Sequence, residues 1–486
     1  MRGIAQCGRV AATVLLAVSV LTACVTLAEP NKPLPPQAAP NDGHAMSGGG
    51  YRLGNLNEDG LATDSLILVS FSGGGKRSSA FGYGALRGLH QFMIPVNGVE
   101  RPMLDQVDFI SSVSGGSFPA AYYGLYRDRI FTDFERDFLR QDIESYIWGT
   151  YLLPWHAARL FAPGYGTNDR MAEVYDDLMF HGATYADLLR NGRPLVSIDA
   201  TDVDYGAVFP FTQDQFDLIC SDLTQYPLAR AVAASNGFPV LFSPITLKSY
   251  AGNCGLTPEW MKREQDNDPL SRRRQLEKEA QLYLDSSKTK YVHLLDGGIA
   301  DNLAMRNVIN AMLILDSDER TLQRMNAGRI RRLVLISVDG QAATDSSGAR
   351  EPALTGLGRT LSVVSGTQID RYNFETEILA RDELEKLGEK IKEMRCRSGV
   401  VVGSYRCDDV ETYFIHLSLE DVSDPVMRQH LESTPTGLTL PDADIDALVK
   451  AGDAVVRASP ELDAFRRSLS GTLPSSSHAA GANSAM

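Results

Sequence analysis

The 486-residue sequence lacks several features, and each absence argues against a class of protein. Basic residues are in deficit: 47 Lys and Arg against 61 Asp and Glu leave a formal net charge of −14. This balance argues against a nucleic-acid partner, because phosphate binding needs a basic surface. No Cys-x-x-Cys pair occurs, which argues against a zinc cluster. No apolar run of about 18 residues follows the N-terminal region, so no integral membrane body is predicted.

The N-terminus carries a predicted export signal. Arg2 and Arg9 precede an apolar run over residues 10–20, which is too short for a transmembrane helix and is typical of a secretory signal peptide. The run ends in Leu-Thr-Ala-Cys at residues 21–24, which resembles the bacterial lipobox. The alternative is an ordinary signal peptide with an incidental cysteine.

The lipobox interpretation predicts a lipoprotein of the bacterial cell envelope. The signal peptide 1–23 would be removed, and Cys24 would carry the lipid that holds the protein at the membrane. Val25 stands where an aspartate would indicate retention in the inner membrane. We therefore expect the outer membrane, with the body facing the periplasm or the cell surface.

Cysteine usage agrees with export. Six cysteines occur, of which Cys7 would leave with the signal and Cys24 would be lipidated. An even number remains in an oxidising compartment, which favours disulfides, and the short loops favour one pairing over the other two. The predicted bonds are Cys220–Cys254 and Cys396–Cys407. Four free buried thiols remain the alternative.

Composition and motifs divide the chain into five segments. After the signal peptide, residues 24–60 are rich in Pro, Gly and Asn and predict a flexible tether. A catalytic core follows over residues 61–345, and a C-terminal helical extension over 346–467 carries a late strand packed on the core. A tail rich in Ser, Ala and Gly, residues 468–486, is predicted to be disordered.

Within the body, short apolar runs alternate with helical patterns. This alternation is typical of an α/β fold, in which helices cover a mostly parallel sheet. The predicted strands are residues 65–71, 107–112, 194–200, 292–295, 332–338 and 412–418. The predicted helices are residues 79–91, 116–126, 302–315 and 374–395, with a charged surface helix within 259–290.

A run of three glycines follows the first predicted strand. Gly73, Gly74 and Gly75 lie between Ser72 and a Lys-Arg pair, and such a run exposes backbone N–H groups at the start of a helix. This arrangement binds negative charge, either a phosphate or the oxyanion formed during acyl transfer. The spacing matches neither a P-loop nor a dinucleotide fingerprint. A plain turn is the alternative.

A serine follows the second predicted strand in a nucleophile-elbow pattern. The elbow needs small residues two before and two after the nucleophile, because strand and helix pack closely there. Around Ser114 these residues are Ser112, a departure from the usual glycine, and Gly116. The N–H of Gly115 could join the glycine run in holding an oxyanion. A turn without chemistry is the alternative.

An aspartate follows a later predicted strand. Asp296 precedes Gly297 and Gly298, and the strand is expected to carry it to the edge where the carboxyl ends of the strands gather. A carboxylate in a partly dry site can orient and deprotonate a serine. An ordinary Asp-Gly turn is the alternative.

These three motifs together, in this order, resemble the patatin-like phospholipase family. The resemblance covers about residues 61 to 345, and the Ala-Ser-Asn-Gly-Phe-Pro stretch at 234–239 is similar to a further block that supports the site. It implies a three-layer α/β/α sandwich and a Ser–Asp dyad without histidine. Ser114 would be the nucleophile and Asp296 the base. Gly73, Gly74 and Gly75 would form the oxyanion hole, with Arg77 matching the basic residue that closes the motif.

The resulting functional hypothesis is a serine acyl hydrolase. Its lipid substrate, a phospholipid or another acyl ester, comes from the resemblance, and the motifs require neither metal nor cofactor. The alternatives are a serine esterase acting on small soluble substrates and a scaffold lipoprotein that has lost activity. A His-containing triad would need His416 or His430, but both lie in patterns that favour structural roles, and His293 is expected to be packed.

One aromatic stretch allows two interpretations. Residues 146–155 contain two of the three tryptophans of the chain and five further large apolar or aromatic residues. They could line an acyl pocket or enter a membrane surface. A buried helix and turn is the favoured interpretation, because such stripes usually belong to a core.

Overall fold

The computed structural model describes residues 31–34, 49–56, 61–62, 64–160, 164–239, 241–255, 257–261, 268–317, 322, 327–341, 357–398 and 406–469. The predicted signal peptide, Cys24 and residues 470–486 of the predicted tail lie outside these residues. No helix in the described part combines the length and the apolarity needed to cross a bilayer.

The strands follow one another from the N-terminus to the last quarter of the chain. They are β1 (Lys32–Pro33), β2 (Ser65–Phe71), β3 (Met93–Val96), β4 (Val99–Pro102), β5 (Phe109–Val113), β6 (Leu195–Asp202), β7 (Ala207–Pro210), β8 (Ser221–Asp222), β9 (Ile245–Lys248), β10 (Tyr291–Leu295), β11 (Arg332–Asp339) and β12 (Glu411–Ser418).

The α-helices lie between and after these strands. They are α1 (Gly75–Gln91), α2 (Ser117–Tyr126), α3 (Ile130–Phe134), α4 (Ile143–Leu152), α5 (Pro154–Arg159), α6 (Thr167–Tyr175), α7 (Tyr185–Asn191), α8 (Gln213–Leu218), α9 (Leu228–Ser235), α10 (Arg272–Leu284), α11 (Arg306–Ser317), α12 (Leu357–Ser398), α13 (Pro425–Glu432), α14 (Asp442–Ala458) and α15 (Pro460–Leu469).

One mixed sheet organises the fold. Its order is β12-β11-β2-β5-β6-β10-β9, with β7 also paired to β6. The first five strands are parallel, whereas β7, β9 and β10 run antiparallel to their neighbours. The central strand β2 is buried at every position, as expected for a strand with helices on both faces.

Two hydrophobic cores lie on opposite faces of the sheet. Because successive side chains of a strand point to opposite faces, β2 sends Ile67 and Val69 into one core and Leu66 and Leu68 into the other. The first core also holds the apolar faces of α1 and α14, and the second holds those of α11 and α12. The chain therefore forms the predicted three-layer α/β/α sandwich.

The predicted C-terminal extension contributes to the sheet itself. β12 pairs in parallel with β11 along its whole length, from Arg332↔Glu411 to Asp339↔Ser418. The late strand is thus an edge strand of the main sheet and not an addition packed on a finished core. Its alternating pattern indicated a strand, but nothing in the sequence specified its neighbour.

The predicted flexible tether is too long, because two of its segments belong to the folded body. Asn31 donates from Nδ2 to the Ser221 hydroxyl and to the Lys248 carbonyl, at 2.9 and 2.8 Å. Tyr51 is fully buried, and its hydroxyl oxygen accepts from the Val196 N–H at 2.7 Å. These contacts join positions that are far apart in the sequence, and composition alone does not reveal them.

Several predicted boundaries shift. Helix α1 begins at Gly75 instead of residue 79, and α11 begins at Arg306 instead of residue 302. Helix α12 extends beyond the predicted range 374–395 at both ends. Of the charged stretch 259–290, α10 covers only Arg272–Leu284. The tail predicted from residue 468 begins inside α15, where Ser468 receives a 2.8 Å hydrogen bond from Nε of Arg332.

The four cysteines of the body form two bonded pairs. Cys220 is joined to Cys254, and Cys396 is joined to Cys407. This is the connectivity that the short loops favour. The first bond ties the start of β8 to the loop after β9, and the second links the end of α12 to the segment before β12.

Candidate active site

Ser114 lies in a sharp turn between strand β5 and helix α2. Its φ of +48° is in the left-handed region, which non-glycine residues seldom adopt and which is common at functional turns. Two hydrogen bonds of 2.8 Å hold this conformation: the Ser114 N–H donates to the Ser235 hydroxyl, and Asn236 Nδ2 donates to the Ser114 carbonyl. The backbone is therefore fixed in the sharp turn that a nucleophile elbow requires.

The Ser235 side chain is fixed by two further contacts. Its hydroxyl donates to the Asp199 carbonyl at 2.7 Å and lies 3.0 Å from the Ser117 hydroxyl. Ser235 and Asn236 belong to the 234–239 block, so the sequence resemblance pointed to this stretch. It did not reveal that the two side chains support the turn from both sides.

Asp296 lies within direct reach of the serine. The Ser114 hydroxyl donates to Asp296 Oδ2 at 2.8 Å, and the Gly298 N–H donates to Oδ1 at 2.9 Å. Both side chains belong to residues that are only 8% exposed. Burial raises the pKa of the Asp296 carboxyl to about 6, while the hydrogen bonds from Gly298 and Ser114 oppose the shift. The Asp296 carboxylate is thus ionised at neutral pH. It is also a stronger base than an exposed aspartate, because its pKa is higher.

The route by which Asp296 reaches the site differs from the prediction. β10 is antiparallel to β6, with Leu295 opposite Thr201. Its chain therefore runs from outside the carboxyl edge of the parallel strands into the sheet, and Asp296 follows its inner end. The Thr201 hydroxyl then donates to the Asp296 carbonyl at 2.8 Å. Residue patterns cannot distinguish the two strand directions, because both place Asp296 at a strand end.

The glycine run and the elbow meet backbone to backbone. Gly74 and Gly75 have φ values of +136° and +59°, which favour glycine, and α1 starts at Gly75. A Cβ on Gly115 would lie 2.0 Å from the Gly75 carbonyl oxygen, and a Cβ on Gly73 would lie 3.2 Å from the Cβ of Ser114. A side chain at Gly115 would push the glycine run and the elbow apart, and a side chain at Gly73 would collide with Asn302 Oδ1, which lies 2.3 Å from the Cβ position.

The predicted oxyanion hole needs one correction. The Gly73 N–H donates to the Asn302 carbonyl at 2.8 Å and is therefore already engaged. In the described part of the chain, the N–H groups of Gly74, Gly75 and Gly115 donate to no acceptor. They remain the candidate donors, whereas Gly73 fixes the glycine run to the loop after Asp296. Asn302 gave no signal in the sequence.

The other motif residues support the backbone around the site. Arg77 is buried, and it donates to the carbonyls of Gly340 and Thr434 at 2.8 and 2.6 Å. Burial lowers its pKa to about 10. A Cβ on Gly116 would lie 2.7 Å from the Phe71 carbonyl oxygen, and one on Gly297 would lie 2.2 Å from that of Asp199.

The histidines considered for a triad have other partners. His416 Nδ1 lies 3.4 Å from Glu377, His430 Nε2 lies 2.8 Å from Asp444, and the half-exposed His293 pairs with Asp204 at 2.7 Å. Among the described residues, no histidine forms a hydrogen bond with Ser114 or Asp296. The geometry is that of a Ser–Asp pair.

The aromatic stretch is not the buried helix that was favoured. Trp148 is 60% exposed and Leu152 is 74% exposed, both on α4. Of the large apolar residues of α4, only Ile143 and Ile147 are buried.

Comparisons with known proteins give a match to a family model and matches to solved structures. The family model described as patatin-like phospholipase matches residues 69–309. Among solved structures, human GIVD cytosolic phospholipase A2 shares 13% identity with a TM-score of 0.36, covering 84% of this chain and 62% of that chain. The same human protein in complex with methyl gamma-linolenyl fluorophosphonate inhibitor and terbium chloride shares 13% identity with a TM-score of 0.33. This match covers 84% of this chain and 59% of that chain.

The chain thus spans about three fifths of the length of these solved structures. No curated protein sequence gives a significant match. The family match supports lipid ester hydrolysis in general, and it contains the glycine run, the serine elbow and the Asp-Gly-Gly turn. Residues 69–309 form a domain of the patatin-like phospholipase family.

Proposed function

We propose that this protein is a serine acyl hydrolase that cleaves acyl esters of phospholipids or related lipids. The observation that carries the proposal is the 2.8 Å hydrogen bond from the Ser114 hydroxyl to Asp296 Oδ2, next to a backbone that offers free N–H donors. A nucleophile, a base and an oxyanion site are the three parts that acyl transfer requires.

In the first half-reaction, Ser114 Oγ attacks the ester carbonyl carbon while Asp296 Oδ2 accepts the hydroxyl proton. The carbonyl oxygen becomes negative, and the N–H groups of Gly74, Gly75 and Gly115, which donate to no acceptor among the described residues, are the proposed donors that stabilise it. The alcohol part of the lipid leaves with a proton from Asp296, and the fatty acyl group remains on the serine.

In the second half-reaction, Asp296 accepts a proton from a water molecule that attacks the acyl-enzyme. The same oxyanion donors serve again, and the fatty acid leaves as Ser114 Oγ regains its proton. Asp296 returns that proton to Ser114 Oγ, so one carboxylate acts as base, acid, base and acid in turn. This cycling suits a pKa of about 6 better than the ordinary 3.8 of an aspartate, because both protonation states are accessible near neutral pH.

The cellular setting belongs to the same proposal. Lipidation of Cys24 would hold the protein in the bacterial envelope, with the outer membrane favoured by Val25. A membrane-held enzyme meets phospholipids directly, which agrees with a lipid as substrate and argues against a purely soluble ester.

The experiment is hydrolysis of phosphatidylethanolamine and phosphatidylglycerol vesicles, with released fatty acid and lysolipid measured by mass spectrometry. Wild type is expected to release fatty acid, whereas Ser114→Ala is expected to lose activity and keep its circular dichroism spectrum. Ser287→Ala changes an exposed serine far along the chain and is the matched control. Equal rates for wild type and Ser114→Ala would overturn the proposal.

A further inference from the structure

An exposed apolar surface borders the candidate site; we name it the mouth patch. Its members come from helix α4 with the residue that follows it, from the loop after α9, and from the turn after Asp296. They are Tyr146, Trp148, Tyr151, Leu152, Leu153, Phe238, Leu241 and Ile299. Each is more than one third exposed, and an apolar cluster of this size is typical of an interaction surface.

Hydrogen bonds join the parts of the mouth patch to one another and to the site. The Tyr151 hydroxyl donates to the Leu241 carbonyl at 2.7 Å, which connects α4 to the loop. Within the loop, the Gly237 carbonyl accepts the N–H of Asp296 at 3.0 Å. The patch is therefore continuous with the segment that carries the candidate base.

The sequence stretches that carry the mouth patch contain no charged residue, and the exposed Glu144 of α4 lies one helical turn before Trp148. The stretches 145–155, 236–247 and 297–300 contain no Lys, Arg, Asp or Glu, although 22% of the chain is charged. Trp and Tyr with outward-facing Leu and Phe are the residues found where a protein meets the boundary between water and hydrocarbon. An uncharged surface of this composition matches a lipid surface and not a charged partner.

The N-terminal chain sets the distance between the body and its predicted anchor. Asn31 is fixed by its bonds to Ser221 and Lys248, and Cys24 precedes it by seven residues. Seven residues span at most about 25 Å. Lys248 ends β9, which starts four residues after Leu241 of the mouth patch. A lipid on Cys24 therefore holds the mouth patch close to the membrane in which that lipid is inserted.

We propose that the mouth patch lies in the surface of the leaflet that holds lipidated Cys24, so that the enzyme takes its substrate from its own leaflet. This inference rests on the proposed function and on the lipidation of Cys24. It names one occupant for the patch, the acyl and interfacial region of that leaflet.

The first test measures binding of the unlipidated Cys24→Ser protein to phosphatidylglycerol and phosphatidylethanolamine vesicles by sedimentation. Trp148→Ser and Leu152→Ser are each expected to weaken binding by about tenfold, the effect of one large apolar side chain that no longer enters lipid. Leu270→Ser and Val426→Ser alter side chains that are 89% and 78% exposed outside the patch, and they are the matched controls. Equal binding by all four variants would overturn the proposal.

Turnover separates this inference from the proposed function. The patch variants are expected to lose vesicle hydrolysis but to hydrolyse a soluble short-chain nitrophenyl ester at the wild-type rate. If wild type binds vesicles but hydrolyses neither substrate, the proposed function fails and the surface assignment stands. A dimer in light scattering that Trp148→Ser abolishes, without an effect on vesicle binding, would instead assign the patch to a second copy of the chain.

The second test addresses the leaflet. Lipidated protein is reconstituted into vesicles and mixed with protein-free vesicles that contain deuterated phospholipid. The proposal predicts that unlabelled fatty acid from the host vesicles exceeds deuterated product by at least about tenfold, since the anchor and the patch share one surface. Equal release from both vesicle populations would contradict it.

Discussion

Replacement of Asp296 by asparagine should abolish activity and at the same time stabilise the fold. The carboxylate is the only base that contacts Ser114 among the described residues, and an amide cannot accept the hydroxyl proton. We expect the hydrolysis rate to fall by at least about 10²–10⁴-fold, the range that general base catalysis supplies. The amide keeps the size of the side chain, so the loss should appear in kcat.

The stabilisation follows from the pKa of Asp296. A pKa of about 6 in the folded state against the ordinary 3.8 means that the folded protein binds this proton more tightly than the unfolded chain. Above pH 6 the buried charge therefore lowers the free energy of unfolding, by about 3 kcal/mol. The penalty shrinks as the pH falls from 6 towards 3.8, and it disappears below 3.8, where the carboxyl is protonated in both states.

Urea denaturation followed by circular dichroism measures this effect. At pH 7.5 we expect Asp296→Asn to unfold with a free energy up to about 3 kcal/mol above that of wild type, and at pH 4 the difference should nearly vanish. Asp204→Asn, which changes a half-exposed carboxylate beside His293, is the control and should alter neither stability nor rate. A destabilised Asp296→Asn protein at pH 7.5, or one that retains activity, would refute the reasoning.

Four further predictions test other parts of the structure. The wild-type rate should fall about tenfold per pH unit below an inflection near pH 6, because only the ionised Asp296 accepts the proton; an inflection near pH 4 would be inconsistent with its burial. Gly115→Ala should remove activity, since its Cβ would lie 2.0 Å from the Gly75 carbonyl oxygen, and near-normal turnover would argue against contact between the two motifs. The double variant Cys24→Ser/Trp148→Ser, which lacks the lipid and one large side chain of the mouth patch, should move from the membrane to the soluble fraction, and a double variant that stays with the membrane would contradict both attachments. Peptide mapping without reductant should recover both disulfides, and alkylation of all four cysteines in the native protein would contradict them.

The sequence predicts the reacting side chains of the site better than it predicts the residues that hold them in place. Ser114 and Asp296 stand in short patterns whose residue types are dictated by local geometry, so each could be predicted from its neighbours. The engagement of the Gly73 N–H depends on the carbonyl of Asn302, a residue in a loop more than 200 positions later. Such a contact exists only once the fold has formed.

The same distinction applies to the fold. The buried strands β2 and β11 and the alternating pattern of β12 are local signals, and all three were predicted. The antiparallel course of β10 and the pairing of Lys32–Pro33 with Ser221–Asp222 depend on which strands become neighbours. The exposure of Trp148 was missed for a related reason, because an apolar helix with an exposed face has the same composition as one that is buried in a core.

Reaction with a fluorophosphonate probe tests the central claim most directly, because the probe forms a covalent bond only with an activated serine. The account predicts one label per folded chain, located by peptide mass spectrometry on Ser114, absent in Ser114→Ala and slowed by at least about 10²-fold in Asp296→Asn. A label on another serine, or equal labelling rates in wild type and Asp296→Asn, would contradict the assignment of Ser114 as the nucleophile and Asp296 as its base.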